Sequence, residues 1–339
     1  MDLFRFDPPT LTVDDALAIA AERYGVTGTG IRLRGERSHN TLITSPDGRR
    51  FVLKIASPSE PPATIDLHAR ALVHLERRAP ELPVARMVAA LGGELVPELV
   101  HAGRSHRMRL VTYLAGVTFD DHQTISIQGL RAIGELMGAL SAALRDFEHP
   151  AAGDFMPWDI ANGLIVDDEL WDALGADART VLEPARPHLE SALAGMAHLP
   201  RQIIHNDGHA GNLLRVDRAS DRVTGVIDFG DLVHTITVAD LAVSGANLAP
   251  SQADPVAALA ALTAGFRARR DLTDDEIEAL PHLVLCRLAL STLLIEHQIH
   301  HAPHISEAVR AERPGLLRNV ATWLAVDARR AVARIREAS

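Results

Sequence analysis

One segment, Gln202–Asp228, breaks the pattern of the chain half that holds it. Leu130, Ile133, Leu136, Met137, Leu140 and Leu144 recur at helical spacing and predict one long amphipathic helix. The same spacing predicts helices over Leu170–Leu174, Arg186–Ala197, Val238–Leu248, Pro255–Arg269, Asp275–His301 and Pro314–Arg336. Gln202–Asp228 instead carries short β-patterned runs, Ile203-Ile204, Asn212–Val216 and Val223–Ile227, with turn-rich Asp217–Asp221 before the last. A helical body must therefore fold around a small β insert, and the insert is rich in polar side chains.

The first part of the chain reads differently. A short helix over Val13–Tyr24 has Thr12 as N-cap and Asp15 three residues on, a capping-box spacing. Strand runs follow at Gly30–Leu33, Asn40–Thr44 and Arg50–Ile55, the last two joined by the turn signal Pro46-Asp47-Gly48. A helix over Ile65–Arg77 and strands over Glu94–His101 and Arg107–Tyr113 complete it. The expected organisation is α+β. Residues 1–112 form a small β-rich lobe and residues 113–339 a larger helical one.

A net charge of −10 lacks the basic footprint that nucleic acid requires, so no nucleic-acid partner is expected. Cys286 is the one cysteine, which excludes an internal disulfide and suits a cytoplasmic location. Met1–Thr10 lacks an apolar core, and no signal peptide or membrane partner is expected. Of 34 basic residues, only Lys54 is a lysine. A lone lysine in a chain that otherwise uses arginine points to a need for a compact ammonium charge.

The insert reads His205-Asn206-Asp207-Gly208-His209-Ala210-Gly211-Asn212, followed by Ile227-Asp228-Phe229-Gly230-Asp231. An aspartate and an asparagine five apart, then Asp-Phe-Gly after a strand, is a phosphotransfer arrangement. Mg²⁺ is a hard cation that takes carboxylate and amide oxygens, which Asp228 and Asn212 offer. Asp207 is then left to orient an acceptor hydroxyl, with His205 bonding the loop backbone. Lys54 lies in the strand Phe51-Val52-Leu53-Lys54-Ile55, suited to nucleotide phosphates, and no Walker A glycine precedes it. Gly35, Glu36 and Asn40 lie in a turn that can cover phosphates. Thr112, Tyr113 and Leu114 offer backbone to a purine edge.

These strings, with Val52-Leu53-Lys54-Ile55, Trp158-Asp159-Ile160 and Asp240-Leu241-Ala242, resemble the aminoglycoside phosphotransferase and choline kinase superfamily from about Ile31 to Arg287. Within it they are most similar to the hydroxylysine kinase-like group. The resemblance implies a bilobal protein-kinase-like fold, Asp207 as catalytic base, Asn212 and Asp228 as metal ligands, Lys54 as phosphate clamp and Asp240 as a buttress. Two positions depart from the pattern. His68 stands where relatives place a glutamate for the strand lysine, with Asp66 and Glu76 nearby, and Asn206 stands where glycine is common.

An acceptor amine needs carboxylates, for which Asp231 and Asp159 are candidates, with Trp158 to stack on the ammonium. Asp159 as a helix N-cap and Trp158 as a core residue is the competing reading. An amino-acid acceptor also needs a cation, and no arginine stands out. His297, His300, His301 and His304 read as a solvated helix end ahead of a metal site. The expected activity is Mg²⁺-dependent transfer of the γ-phosphoryl of ATP or GTP to a hydroxylated amine or amino acid, 5-hydroxylysine first. An antibiotic phosphotransferase, a homoserine- or choline-type kinase and an inactive nucleotide-binding protein are the alternatives. A homodimer is admitted.

Overall fold

A computed structural model describes residues 7–35, 37–120, 124–301 and 307–338. Glu36 and His304 lie outside the described residues. The chain divides into two compact units, Met1–Ala115 with His149–Ala152, and Gly116–Glu148 with Gly153–Ser339.

In the first unit, α1 (Val13–Tyr24) opens with the expected capping box: Asp15 N–H donates to Thr12, and the Asp15 carboxylate accepts from the Thr12 N–H. The strands β1 (Thr29–Leu33), β2 (Ser38–Thr44) and β3 (Arg50–Ala56) follow, then α2 (Pro62–Arg78), β4 (Met87–Val88), β5 (Glu98–His101) and β6 (Arg104–Thr112). All pairings are antiparallel, in the order β1-β2-β3-β6-β4, with β5 on β6. Strand alternation sorts β3 cleanly. Phe51, Leu53 and Ile55 join Ala16, Ala20, Ile43, Met108 and Leu110 in the core, which leaves Lys54 on the opposite face. The strand expected from Glu94 starts at Glu98, because Ala90–Glu94 closes a turn and the Pro97 carbonyl accepts from Met108.

The second unit begins with β7 (Val117–Thr118) and α3 (Ile127–Ala143), then α4 (Asp168–Asp172), α5 (Ala176–Leu182) and α6 (Arg186–Gly195). The insert supplies β8 (Arg201–Ile204), β9 (Leu213–Arg215), β10 (Val223–Val226) and β11 (Val233–Ile236). β8 pairs with β11, and β9 lies between β10 and β7. The helices α7 (Ala239–Leu248), α8 (Pro255–Arg267), α9 (Asp274–His301), α10 (Glu307–Leu324) and α11 (Ala328–Glu337) complete the unit.

Helix α9 is its spine, with Leu280, Leu283, Val284, Leu288, Leu290, Leu293 and Leu294 buried. Each such side chain contributes about 1.5–3 kcal/mol of burial. The helix is long and apolar enough to cross a membrane by length and composition, but 78% of that window is buried inside the protein. Helices α3 and α8 cross at backbone contact. A Cβ at Gly134 would strike the Leu262 carbonyl, one at Gly138 the Phe266 carbonyl, and one at Gly265 the Arg131 carbonyl. The helix expected over Pro314–Arg336 is two helices. Val326 N–H turns back to the Trp323 carbonyl, and the Asp327 side chain caps the second helix through Arg330 N–H.

Candidate active site

The β9–β10 ladder fixes the polar residues of the insert. Leu213 pairs with Val226, and the next step is completed by Ile227 N–H donating to the Asn212 carbonyl at 2.9 Å. Asn212 and Asp228 therefore lie at one end of the same pair of strands. Asp228 is exposed, with φ 63°, a left-handed conformation that aspartate tolerates better than most residues.

The Asn212 side-chain amide donates to Asp207 twice, to Oδ2 at 2.6 Å and to the carbonyl at 3.0 Å. Both partners are acceptors, so the NH₂ end faces Asp207 and Oδ1 is turned elsewhere. Mg²⁺ takes amide and carboxylate oxygens, so Asn212 Oδ1 and the Asp228 carboxylate, at one end of the β9–β10 pair, offer a donor set whose chemistry fits it.

One face of α7 holds the loop between β8 and β9. Asp240 accepts from His205 N–H at 3.3 Å and Asn206 N–H at 2.7 Å. One turn on, the Ser244 hydroxyl donates to the Gly208 carbonyl at 2.8 Å, and the Asn247 side-chain oxygen accepts from Ala210 N–H at 2.8 Å. These residues follow the i, i+4, i+7 stripe of one helix face. Burial pushes the Asp240 carboxyl above the ordinary carboxylate range, against the pull of His205 and the two backbone donors. Asn206 is fully buried with φ 62°. Asparagine is one of the few residues besides glycine that enters this region readily, which explains its place there.

His205 Nδ1 accepts from Asp207 N–H at 3.3 Å, and its ring meets Phe229 edge-on at 4.8 Å. The two motifs thus pack on each other. His209, unremarked in the sequence, has Nε2 at 3.6 Å from Asp207 Oδ1. Burial depresses its pKa, but the Asp207 carboxylate outweighs that and leaves it raised.

Arg287 of α9 joins this group. It is 7% exposed; Nη1 donates to the Trp158 carbonyl at 2.5 Å, Nη2 lies 3.8 Å from Asp207 Oδ1, and the guanidinium stands 5.4 Å from the centre of the Trp158 ring. Burial pushes its pKa down, opposed by Asp207, Asp231 and Asp159. Asp159 caps no helix. Its Oδ1 accepts from the Thr235 hydroxyl at 2.7 Å and from Ala161 N–H at 3.0 Å. Trp158 is half-buried and Asp231 buried.

In the first unit, Lys54 stands in register with Asn40 on β2 and Arg109 on β6, so the three share one face. Asn40 donates to the Arg34 carbonyl and accepts from Ser38, and a Cβ on Gly35 would strike its amide. Thr112 and Tyr113 spend their N–H groups on the Arg86 and Arg50 carbonyls. Of the acids near His68, Asp66 is engaged by Arg70 at 2.5 Å and His149 at 3.2 Å, and Glu76 is exposed.

The family model described as the phosphotransferase enzyme family, APH, matches residues 29–274. The chain belongs to this family. It is a phosphotransferase of the APH family. Curated relatives include hydroxylysine kinase of Mus musculus, 26% identical over 282 residues and 78% of this chain and 74% of that one. Hydroxylysine kinase of Danio rerio is 24% identical over 330 residues, 93% of this chain and 92% of that one. Among solved structures, amicoumacin kinase hAmiN in complex with AMP-PNP, Ca²⁺ and Ami has a TM-score of 0.71 at 16% identity, covering 94% of this chain and 97% of that one. The microcompartment-associated aminopropanol kinase also has a TM-score of 0.71, at 20% identity, covering 96% and 98%. The APH fold is thus shared along nearly the whole chain.

In this phosphotransferase the sequence reading missed Arg287, Ser244, Asn247 and His209. The α7 stripe was legible as polar residues at helical spacing in an otherwise apolar helix. The helix end expected to be solvated is so only in part: His300 and His301 are exposed, whereas His297 is buried, with its ring centre 4.3 Å from that of His301 at a 50° tilt and Glu169 Oε1 3.6 Å from its Nε2.

Proposed function

We propose that this phosphotransferase moves the γ-phosphoryl group of ATP or GTP to the hydroxyl of an amino acid or amino alcohol, with 5-hydroxylysine the leading acceptor. The observation that carries the reading is the Asn212 amide clasped to Asp207 at the end of the β9–β10 pair that also carries Asp228. Asn212 Oδ1 and the Asp228 carboxylate are the proposed Mg²⁺ ligands. The bound ion would neutralise charge on the transferring group. Asp207 accepts the hydrogen bond of the acceptor hydroxyl and aims its oxygen. Asp240, Ser244 and Asn247 keep the Asp207 loop from relaxing. Lys54 supplies a point charge to the nucleotide phosphates, Gly35 and Asn40 shape the turn that covers them, and the main chain at Leu114 meets the base. Asp231 and Asp159 take the acceptor ammonium against Trp158.

The curated relatives named hydroxylysine kinase support this acceptor class. The test is a phosphate-transfer panel with ATP and GTP, using 5-hydroxylysine, homoserine, choline and aminoglycosides as acceptors. Transfer to 5-hydroxylysine, lost in Asp207→Asn with the melting temperature unchanged, is expected. Transfer to aminoglycosides alone would replace the acceptor assignment.

A further inference from the structure

Arg287 is a buried cation in an apolar stretch of helix. Leu283, Val284, Leu285, Cys286, Leu288, Ala289 and Leu290 around it are all buried. Keeping a guanidinium there costs several kcal/mol unless its surroundings or a ligand compensate. We infer that Arg287 receives a carboxylate of the acceptor, so that the acceptor is a hydroxylated amino acid and not the corresponding amine. This inference rests on the phosphotransferase reading above and deepens it.

Three observations carry it. First, the guanidinium is not consumed by the protein. It has five N–H donors, and among the described residues its one hydrogen bond goes to the Trp158 carbonyl. The approach to Asp207 at 3.8 Å exceeds hydrogen-bonding distance. Second, the neighbouring acids have donors of their own. Asp207 Oδ2 is held by Asn212 and Asp159 Oδ1 by Thr235 and Ala161, so neither depends on Arg287 for satisfaction. Third, the charges match a zwitterion. Asp231 and Asp159 offer anions near Arg287, which itself offers a cation 3.8 Å from the carboxylate proposed to meet the hydroxyl.

The spacing also bounds the acceptor. A hydroxyl on Asp207 Oδ1 and a carboxylate on Arg287 Nη2 each stand about 2.8 Å from their partners, so across that 3.8 Å gap they lie no more than about 9 Å apart. Serine, homoserine and 5-hydroxylysine all satisfy this.

The test pairs each hydroxy amino acid with its own decarboxylated amine: serine with ethanolamine, homoserine with 3-aminopropan-1-ol, and 5-hydroxylysine with 1,5-diaminopentan-2-ol. Each pair is assayed as kcat/KM with wild type, Arg287→Lys and Arg287→Gln. The wild type should prefer the amino acid of the active pair by about 100-fold, the scale set by a lost charge-assisted hydrogen bond. Arg287→Gln should erase that preference, slowing the amino acid about 100-fold more than its amine. Arg287→Lys should fall between. Equal losses on both members would show that Arg287 serves Asp207 instead, and would overturn the inference. So would a wild type indifferent to the carboxylate, a comparison that stands even where a variant does not fold. No transfer to any acceptor, aminoglycosides included, would overturn the phosphotransferase reading itself and the inference with it.

Discussion

Asp240, with no solvent exposure, accepts the N–H of Asn206 at 2.7 Å and so ties helix α7 to the backbone just before Asp207. Asp240→Asn keeps the shape but turns one of two acceptor oxygens into a donor facing an N–H. The variant should lose about 2 kcal/mol of stability, read as a lower urea midpoint at constant slope. Phosphate transfer should fall as well, because the loop carrying Asp207 loses an anchor.

Asn206 tests the backbone argument separately. Its φ of 62° suits glycine as well as asparagine. Asn206→Gly should stay within about 1 kcal/mol of wild type, whereas Asn206→Val, β-branched in a left-handed conformation, should cost about 2 kcal/mol or more. Thermal melts of the two variants compare them directly, and equal melting temperatures would remove the conformational explanation.

Lys54→Arg tests the single lysine. The longer planar fork should not replace the compact ammonium, so kcat/KM should fall about 100-fold with little change in melting temperature. Near-normal turnover would return Lys54 to the status of an accident of composition.

Acid stability should depend on Arg313. It bonds Asp177 of α5 and also pairs with the buried Glu296 of α9. The Arg313 guanidinium and the Ala178 N–H hold the Asp177 pKa at about 2, against 3.8 for the unperturbed group. The unfolded chain therefore takes up this proton first as pH falls. The stabilisation is complete above pH 3.8 and is lost as pH falls through about 2. Asp177→Asn should lower the urea midpoint at neutral pH, and the gap to wild type should close in acid. Arg313→Met, which leaves the buried Glu296 with the Gly175 N–H but no cation, should cost about 3 kcal/mol at neutral pH.

The loop from His205 to Asn212 and the Asp-Phe-Gly string were legible because their chemistry is local. Residues five apart need only one turn and one strand pair to meet. Arg287 was not, because its partner Trp158 lies 129 residues away and 33 arginines give no contrast in composition. Strand β11 was missed for a related reason. Four residues beside a helical run carry no period of their own, and only the pairing of Val233 with Ile204 makes them a strand. The break between α10 and α11 turns on a single cap at Asp327, a signal that continuous helical periodicity on both sides conceals. The Lys54 face was readable from alternation alone, whereas Arg109 as its neighbour required the register of β3 against β6.

Where α3 meets α8, no side chain acts as spacer at Gly134, Gly138 or Gly265. A single added methyl group there would act as a wedge driven between two rods. The joint therefore resists substitution for reasons unrelated to chemistry, and an invariant glycine in it would report closeness of packing and nothing about phosphate transfer.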